Sequence, residues 1–295
     1  MIVNVIYGAN NDYVKYLGTS LLSLFKNKLP STELSVSILD DGITEENKIK
    51  LKKCVVPFAG DIHFIDIRHL DLAALPIPPW GTHGLRTTYA RLYAPYFVNY
   101  EKFIYLDCDT LVLKDLKRFF DIEIESVPFG AVGHAIRGEA TGIAMFAKEY
   151  NVALAHYFNA GVLLVNRVLW LRENITEKSI AFILKYQPTT VDQDALNYIC
   201  ANNFKILDSN FNDTSNVKNK NAVIIHFISK PLKYYSYVCR YNKKLFFRYF
   251  KETPWGGKKL IFPDRNIKTR FKKPIMVFLR ILKIWPLIEN MKSTK

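Results

Sequence analysis

Two carboxylates, Asp107 and Asp109, follow the short apolar run KFIYL (102–106), with only Cys108 between them. Like charges this close resist joint ionisation unless a cation lies between them or water separates them. Hard divalent cations take oxygen ligands of this kind, so the triplet can hold a metal. A solvated turn, where Asp is common, accounts for it equally well when it is taken alone. In open α/β sheets, however, ligands gather beyond the carboxyl ends of strands, which is where this pair falls. Other polar residues stand beside apolar runs along the chain: Arg91, Asn159, Asp192, Gln193, Asp194 and His226. A guanidinium pairs with carboxylate or phosphate in a bidentate way, and a structural ion pair is the plainer role for Arg91. Asn159 also suits a turn, Asp192 a helix cap and Asp194 a dipole partner in a first helical turn. A histidine at a strand end, such as His226, is either structural or, beside a carboxylate pair, a ligand.

The elements that must position these groups are legible as alternating short β-branched or aromatic runs and longer segments of helical period. IVNVIY (2–7) reads as a buried strand, GANND as a loop, and Val14, Leu17, Leu21, Leu24 and Phe25 recur at helical spacing. LSVSILD (34–40) starts a second cycle, and a helix is expected from about Thr44, with Glu45 and Glu46 at the positive end of its dipole. Further strands are expected at 61–67, 102–106, 129–133, 160–166 and 221–227, and a helix near 192–202.

With 295 residues, 49% of them hydrophobic, the chain can bury one large α/β core or two small ones. Its net charge of +14, from 41 Lys and Arg against 27 Asp and Glu, favours an anionic partner: nucleic acid, a phosphorylated substrate or an acidic membrane surface. Cys54, Cys108, Cys200 and Cys239 contain no CxxC pair, which argues against a zinc knuckle or a disulfide scaffold and for a reducing compartment. No stretch reaches the roughly 18 apolar residues of a spanning helix, and the first residues lack a basic leader, so neither a membrane span nor secretion is expected. After about residue 250 the composition shifts. Lys268, Arg270, Lys272, Lys273, Arg280 and Lys283 occur with no acidic residue among them. On a helix between Pro274 and Pro286, Ile275, Phe278, Leu279, Leu282 and Trp285 would share a face, the pattern of a basic amphipathic helix.

DCDTLV also invites comparison with the opening DxDxT of haloacid-dehalogenase phosphatases, but Thr110 is adjacent to the second aspartate, one position too early. A wider pattern fits better. TTYARLYAP (87–95), YLDCDTLV (105–112), YFNAGVLLVN (157–166), VDQDALN (191–197) and IIHF (224–227), in that order, resemble the retaining glycosyltransferases of family 8. That group contains bacterial lipopolysaccharide galactosyl- and glucosyltransferases and glycogenin; ILDDGITEEN (38–47) extends the likeness, which covers roughly residues 1–235. The resemblance implies an α/β protein of the GT-A fold, a Rossmann-like mixed sheet flanked by helices. Residues 1–250 would form the catalytic domain and 251–295 a basic, membrane-associating helical extension.

It further implies a metal, Mn²⁺ or alternatively Mg²⁺, held by Asp107, Asp109 and His226 and bridging to the diphosphate of a UDP-hexose. Mixed carboxylate and imidazole ligation suits such an ion, and a Lewis acid is needed to neutralise a departing nucleoside diphosphate. By the same resemblance Gly8, Asn10, Asp12, Arg91, Asp107, Cys108, Asp109, Asn159 and Lys230 bind the donor. Asp192 hydrogen-bonds the sugar, and Gln193 lies nearest the anomeric carbon. Asp194 is a fallback nucleophile, and His83 faces the acceptor, a glycan or glycolipid. An amide is a poor nucleophile, which favours front-face attack through an oxocarbenium-like state over double displacement. The family's motifs are not all kept. GANNDY orders its polar residues differently from the usual Asp-then-Asn, His134 stands where galactosyltransferases carry an aspartate, and HFISKPLKYY shortens the spacing to Lys230, leaving Lys233 as a substitute. Trp80 and the PIPPWG loop (76–81) could form a lid. The expected enzyme works in the cytoplasm, peripheral on the membrane face. Two other readings stand beside it: a sugar-nucleotide binder that has lost catalysis, and a basic nucleic-acid-binding protein, for which RYNKKLFFRYF (240–250) would interleave charge with stacking rings. Because nucleic-acid binding does not require the five ordered motifs, no nucleic-acid partner is expected.

Overall fold

The structure, a computed structural model, describes residues 2–78, 83–135, 142–152, 156–215, 217–228 and 239–257. Its first half runs β1 (Ile2–Asn10), α1 (Val14–Asn27), β2 (Glu33–Asp41), α2 (Glu45–Val55), β3 (His63–Asp66), α3 (Ala90–Phe97), β4 (Lys102–Leu106), β5 (Thr110–Val112), α4 (Lys117–Phe120) and β6 (Phe129–Ala135). Then follow α5 (Gly142–Glu149), β7 (His156–Asn166), α6 (Arg167–Arg172), α7 (Ile175–Tyr186), α8 (Val191–Ile199), β8 (Lys205–Ile206), β9 (Ile224–His226) and α9 (Arg240–Glu252).

The seven-stranded sheet has the order β3-β2-β1-β4-β7-β6-β8. β3, β2, β1 and β4 are parallel, whereas β7 runs antiparallel to both β4 and β6. The sheet is buried on both faces, and the period-2 alternation of β1 shows how. Val3, Val5 and Tyr7 point into a core closed by α1, α2 and α9, while Ile6 points into a second core closed by α3, α7 and α8. This is the α/β architecture expected from the strand and helix periods, with the mixed sheet that the resemblance implies.

Local signals set most boundaries. Thr44 caps α2, its hydroxyl accepting from the Asn47 N–H, and Glu45 and Glu46 occupy the first turn as expected. β1 outruns its apolar segment, because Gly8, Ala9 and Asn10 continue the parallel pairing with Leu39, Asp40 and Asp41. β7 begins at His156 rather than Ala160, since Tyr157 and Phe158 pair with β6 beyond a bulge at Ala131/Gly133.

Residues 240–250 lie in α9 and turn three of their five rings into the core. Phe246, Tyr249 and Phe250 are buried against α1, and Arg240, Lys244, Arg248 and Lys251 are exposed on the other side. Burial of one such ring contributes about 1.5–3 kcal/mol, so stacking on a base would forfeit core. The packed body continues to Trp255, which lies so close to α1 that a Cβ on Gly18 would stand 2.5 Å from its ring. Among the described residues no helix is long and apolar enough to cross a membrane. Residues 258–295, and with them the basic amphipathic segment, lie outside the described residues, as do Trp80, Lys230 and Lys233.

Candidate active site

β4 delivers Asp107 to the carboxyl edge of the sheet, and a tight turn follows. The Thr110 N–H and hydroxyl both donate to the Asp107 carbonyl, at 3.2 and 2.8 Å, and the Asp107 N–H donates to the Gly161 carbonyl at 2.8 Å. β5 then pairs antiparallel with β9 in a register that sets Thr110 opposite His226. That pairing brings His226 Nε2 to 3.2 Å from Asp109 Oδ1 and 3.7 Å from Asp107 Oδ2. The donor atoms of Asp107, Asp109 and His226 all lie within 4.8 Å of one another. Gly161 borders the same space: a Cβ there would sit 2.1 Å from His226 Cε1 and 2.5 Å from Asp107 Oδ2. Two anionic oxygens and an imidazole nitrogen converging on one point fit a divalent cation, so these residues suit the metal that the sequence led us to expect.

Behind this cluster lies a buried ion-pair bridge. Arg91, on α3, donates from Nη2 to Asp107 Oδ1 at 2.8 Å, while its Nε donates to the Thr88 carbonyl at 3.2 Å and lies 2.7 Å from Asp192 Oδ2 in an ion pair. The Thr88 hydroxyl donates to the remaining oxygen, Asp192 Oδ1, at 2.9 Å. Burial alone would weaken the proton affinity of the guanidinium, but the two carboxylates outweigh it and hold Arg91 above the ordinary arginine range. Burial pushes the Asp192 carboxyl up to about 6, with Asp107 adding to the rise and Arg91 opposing it. The Arg91 guanidinium, 2.7 Å away, favours the ionised form of Asp192.

α8 carries Asp192, Gln193 and Asp194, and its first residue, Val191, sits at φ 35°, a strained value for a β-branched side chain. Asp194 holds that turn: Oδ2 accepts from the Thr190 N–H at 2.7 Å and Oδ1 from the Tyr157 hydroxyl. Both Asp194 oxygens are thus engaged, and the residue is buried. Gln193 Oε1 accepts from the Ala160 N–H at 3.2 Å and from Asn159 Nδ2 at 2.9 Å, while its Nε2 donates to the Tyr157 hydroxyl at 3.0 Å. Asn159 and Gln193 thus form one fixed amide pair between α8 and β7.

A carboxylate–imidazole cluster beyond the strand ends, with an arginine bridge and an amide pair beside it, matches the ordered motifs. The model of glycosyl transferase family 8 matches residues 4–237. The chain belongs to that family.

Relatives of family 8 span most of its length. General stress protein A of Bacillus subtilis is 27% identical over 281 residues, covering 86% of this chain and 95% of that protein. The lipopolysaccharide 1,3-galactosyltransferase of Salmonella typhimurium is 25% identical over 293 residues, covering 91% and 83% respectively. In fold the chain is similar to galactosyltransferase LgtC, solved with donor and acceptor sugar analogues, at TM-score 0.74 and 23% identity over 91% of this chain and 99% of that one. The GT-A fold expected from the sequence is the fold observed, and the protein is a glycosyltransferase.

The remaining family 8 positions lie along the same sheet edge. Gly8 follows Tyr7, which pairs with Leu106, and its carbonyl accepts from the Cys108 thiol at 3.2 Å. A Cβ at Gly8 would stand 2.9 Å from the Ala90 Cβ, so α3 can approach only glycine here. Cys108 is buried, and burial pushes its thiol well up. Asn10 is a buried cap: its Oδ1 accepts from the Asp12 N–H at 3.1 Å and its Nδ2 donates to the Thr87 hydroxyl at 3.0 Å. His83 opens the short helix His83–Tyr89 that leads into α3, and His134 lies opposite Tyr157 in the β6–β7 register.

Thr88, Tyr157, Gly161 and Asn212 belong to the site and were not singled out in the sequence. Gly161 carried a signal, because glycine inside an apolar strand often marks a close approach. Asn212 carried none; it accepts from His226 Nδ1 at 3.0 Å from a segment with no motif.

Proposed function

We propose that the protein is a metal-dependent, anomer-retaining hexosyltransferase. It moves galactose or glucose from a UDP-sugar to a hydroxyl of a cell-surface glycan of the lipopolysaccharide or lipooligosaccharide kind. The convergence of Asp107, Asp109 and His226 beside the Asn159–Gln193 pair carries this reading. The names of the Salmonella galactosyltransferase and of LgtC support the donor and acceptor classes.

Asp107, Asp109 and His226 would hold Mn²⁺, with Mg²⁺ as the alternative, and the bound cation supplies Lewis-acid neutralisation of the leaving diphosphate. Arg91 keeps Asp107 turned toward the cluster and Asp192 ionised, so that Asp192 can accept from a sugar hydroxyl. Gln193 is held by the Ala160 N–H and by Tyr157, and a locked, weakly nucleophilic amide supports front-face substitution. The leaving phosphate takes the acceptor proton in that route. Gly8, Asn10 and Asp12 would border the uracil, Lys230 the diphosphate and His83 the acceptor. The basic segment within 251–295 would place the enzyme peripherally on an anionic cytoplasmic membrane face, where each Lys or Arg gains about 1 kcal/mol.

The test is release of UDP from a panel of UDP-sugars, with Mn²⁺, with Mg²⁺ and with chelator, for wild type and Asp109→Asn. Metal-dependent release from one sugar, lost in the variant, is the expected outcome and names the donor. UDP that binds with metal but is never released from a UDP-sugar, even with glycolipid acceptor added, would mark a binder without catalysis. Absence of metal-dependent UDP binding would overturn the metal assignment.

A further inference from the structure

Two backbone N–H groups determine the direction of the hydrogen bond between His226 Nδ1 and Asn212. A backbone N–H can only donate, so the Asn159 atom that meets the Gly161 N–H at 3.0 Å is its oxygen. That oxygen also lies 3.0 Å from an Asn212 side-chain atom, which must then be the Asn212 NH₂ group. The other end of the Asn212 amide, 3.0 Å from His226 Nδ1, is therefore oxygen. Oxygen there can only accept, and Nδ1 carries the proton. The Ala160 N–H gives the same answer independently: it fixes Gln193 Oε1 as an acceptor, which requires Asn159 to present NH₂ on that side.

With Nδ1 protonated, the neutral imidazole turns a bare Nε2 lone pair toward Asp107 and Asp109. Without a cation this would set a lone pair against carboxylate oxygen. Asn212 is buried and rigidly tied to the histidine's own strand: the Asp213 N–H donates to the Ile224 carbonyl at 2.9 Å, and the His226 N–H donates to the Asp213 carbonyl at 3.0 Å.

We propose that Asn212 is a positioning residue that selects the His226 tautomer competent to bind the metal, with Asn159 and the Gly161 N–H setting the direction of Asn212. The inference rests on the metal-site reading above. Partners of this kind on a ligating histidine typically change metal affinity about 10–100-fold when removed.

The experiment measures Mn²⁺ affinity of the full chain with UDP, from the paramagnetic resonance of free Mn²⁺, for wild type, Asn212→Leu and Asn212→Asp. Asn212→Leu removes the acceptor and is expected to bind about 10–100-fold more weakly. Asn212→Asp retains an acceptor for Nδ1 and is expected to stay close to wild type. A second readout is the ¹⁵N spectrum of imidazole-labelled, metal-free protein, with the His226 signals assigned by their loss in His226→Asn. In the one-proton form of the ring, wild type should carry its proton on Nδ1, and Asn212→Leu should move it to Nε2, facing Asp109. Unchanged affinity in folded Asn212→Leu, equal losses in both variants, or an Nε2 proton in wild type would each overturn the proposal. If Asn212→Leu fails to fold, weak binding by Asn212→Asp or an Nε2 proton in wild type overturns it alone. If wild type binds no Mn²⁺ at all, the functional reading fails, while the spectrum still decides the role of Asn212.

Discussion

The two ends of the site are completed differently. At the carboxylate–imidazole end, the Asp107 and Asp109 side chains are 23% and 25% exposed, and the two carboxylates stand close in space with one residue between them in sequence. At the other end, Arg91 and Asp192 are 7% and 3% exposed, and the Asp192, Gln193, Asp194 and Tyr157 polar atoms pair within the protein. Folding finishes the second end. The first stays partly open to solvent, and on the proposed metal reading substitution there should cost function before stability.

The sharpest way to break this contrast is Arg91→Leu. It leaves the Asp192 carboxylate buried without its cation, and urea unfolding should show a loss of about 3–5 kcal/mol. An unchanged midpoint would mean that the closed end does not hold the fold. Asp109→Asn should do the reverse. Metal-dependent UDP release should fall by about 100-fold or more, equivalent to about 2.7 kcal/mol of barrier, while the unfolding midpoint stays nearly fixed. Gly161→Ala falls between the ends, because its Cβ would intrude on both His226 and Asp107. We expect about 1–3 kcal/mol of destabilisation together with weakened Mn²⁺ binding; loss of either one alone would separate packing from ligation.

The smallest effect is a pH dependence with opposite signs for stability and activity. Burial raises the Asp192 carboxyl from 3.8 to about 6, so in that window the native state keeps a proton that the unfolded chain has released. Its contribution to stability is therefore largest below the unfolded value and declines as pH rises to about 6. Activity should rise over the same interval, as ionised Asp192 gains its pairing with Arg91 and its capacity to accept from a hydroxyl. Unfolding and UDP-release profiles of wild type against Asp192→Asn check both signs.

The strands 2–7, 34–40 and 102–106 were legible because buried parallel strands read as unbroken apolar runs, and the first helix because its apolar period matches 3.6. β5, with three residues, and β8, with two, were not, since neither is long enough to show a period. RYNKKLFFRYF was legible as amphipathic only in retrospect: the same rings serve a core or a stacking surface, and packing against α1 decided for the core. In the site, the DxD turn, Arg91, Asn159, Asp192, Gln193 and His226 could be named from motif order. The engagement of both Asp194 oxygens by Thr190 and Tyr157 could not.

By itself, then, the sequence determined the residue types and the local periods: which runs are buried, where strands end, and that carboxylates, amides and an imidazole stand at those ends. Only the tertiary structure decided which of them meet. His226 reaches Asp109 across 117 positions because β5 and β9 share one register, and Thr88 reaches Asp192 across 104 because the His83–Tyr89 helix and α8 lie over one face of the sheet. Which imidazole nitrogen carries the proton was decided at the same level, by two backbone N–H groups whose direction exists only once β7 is in its sheet. Periodicity is a property of neighbours in the chain, whereas register, pairing and donor direction belong to segments the chain holds far apart.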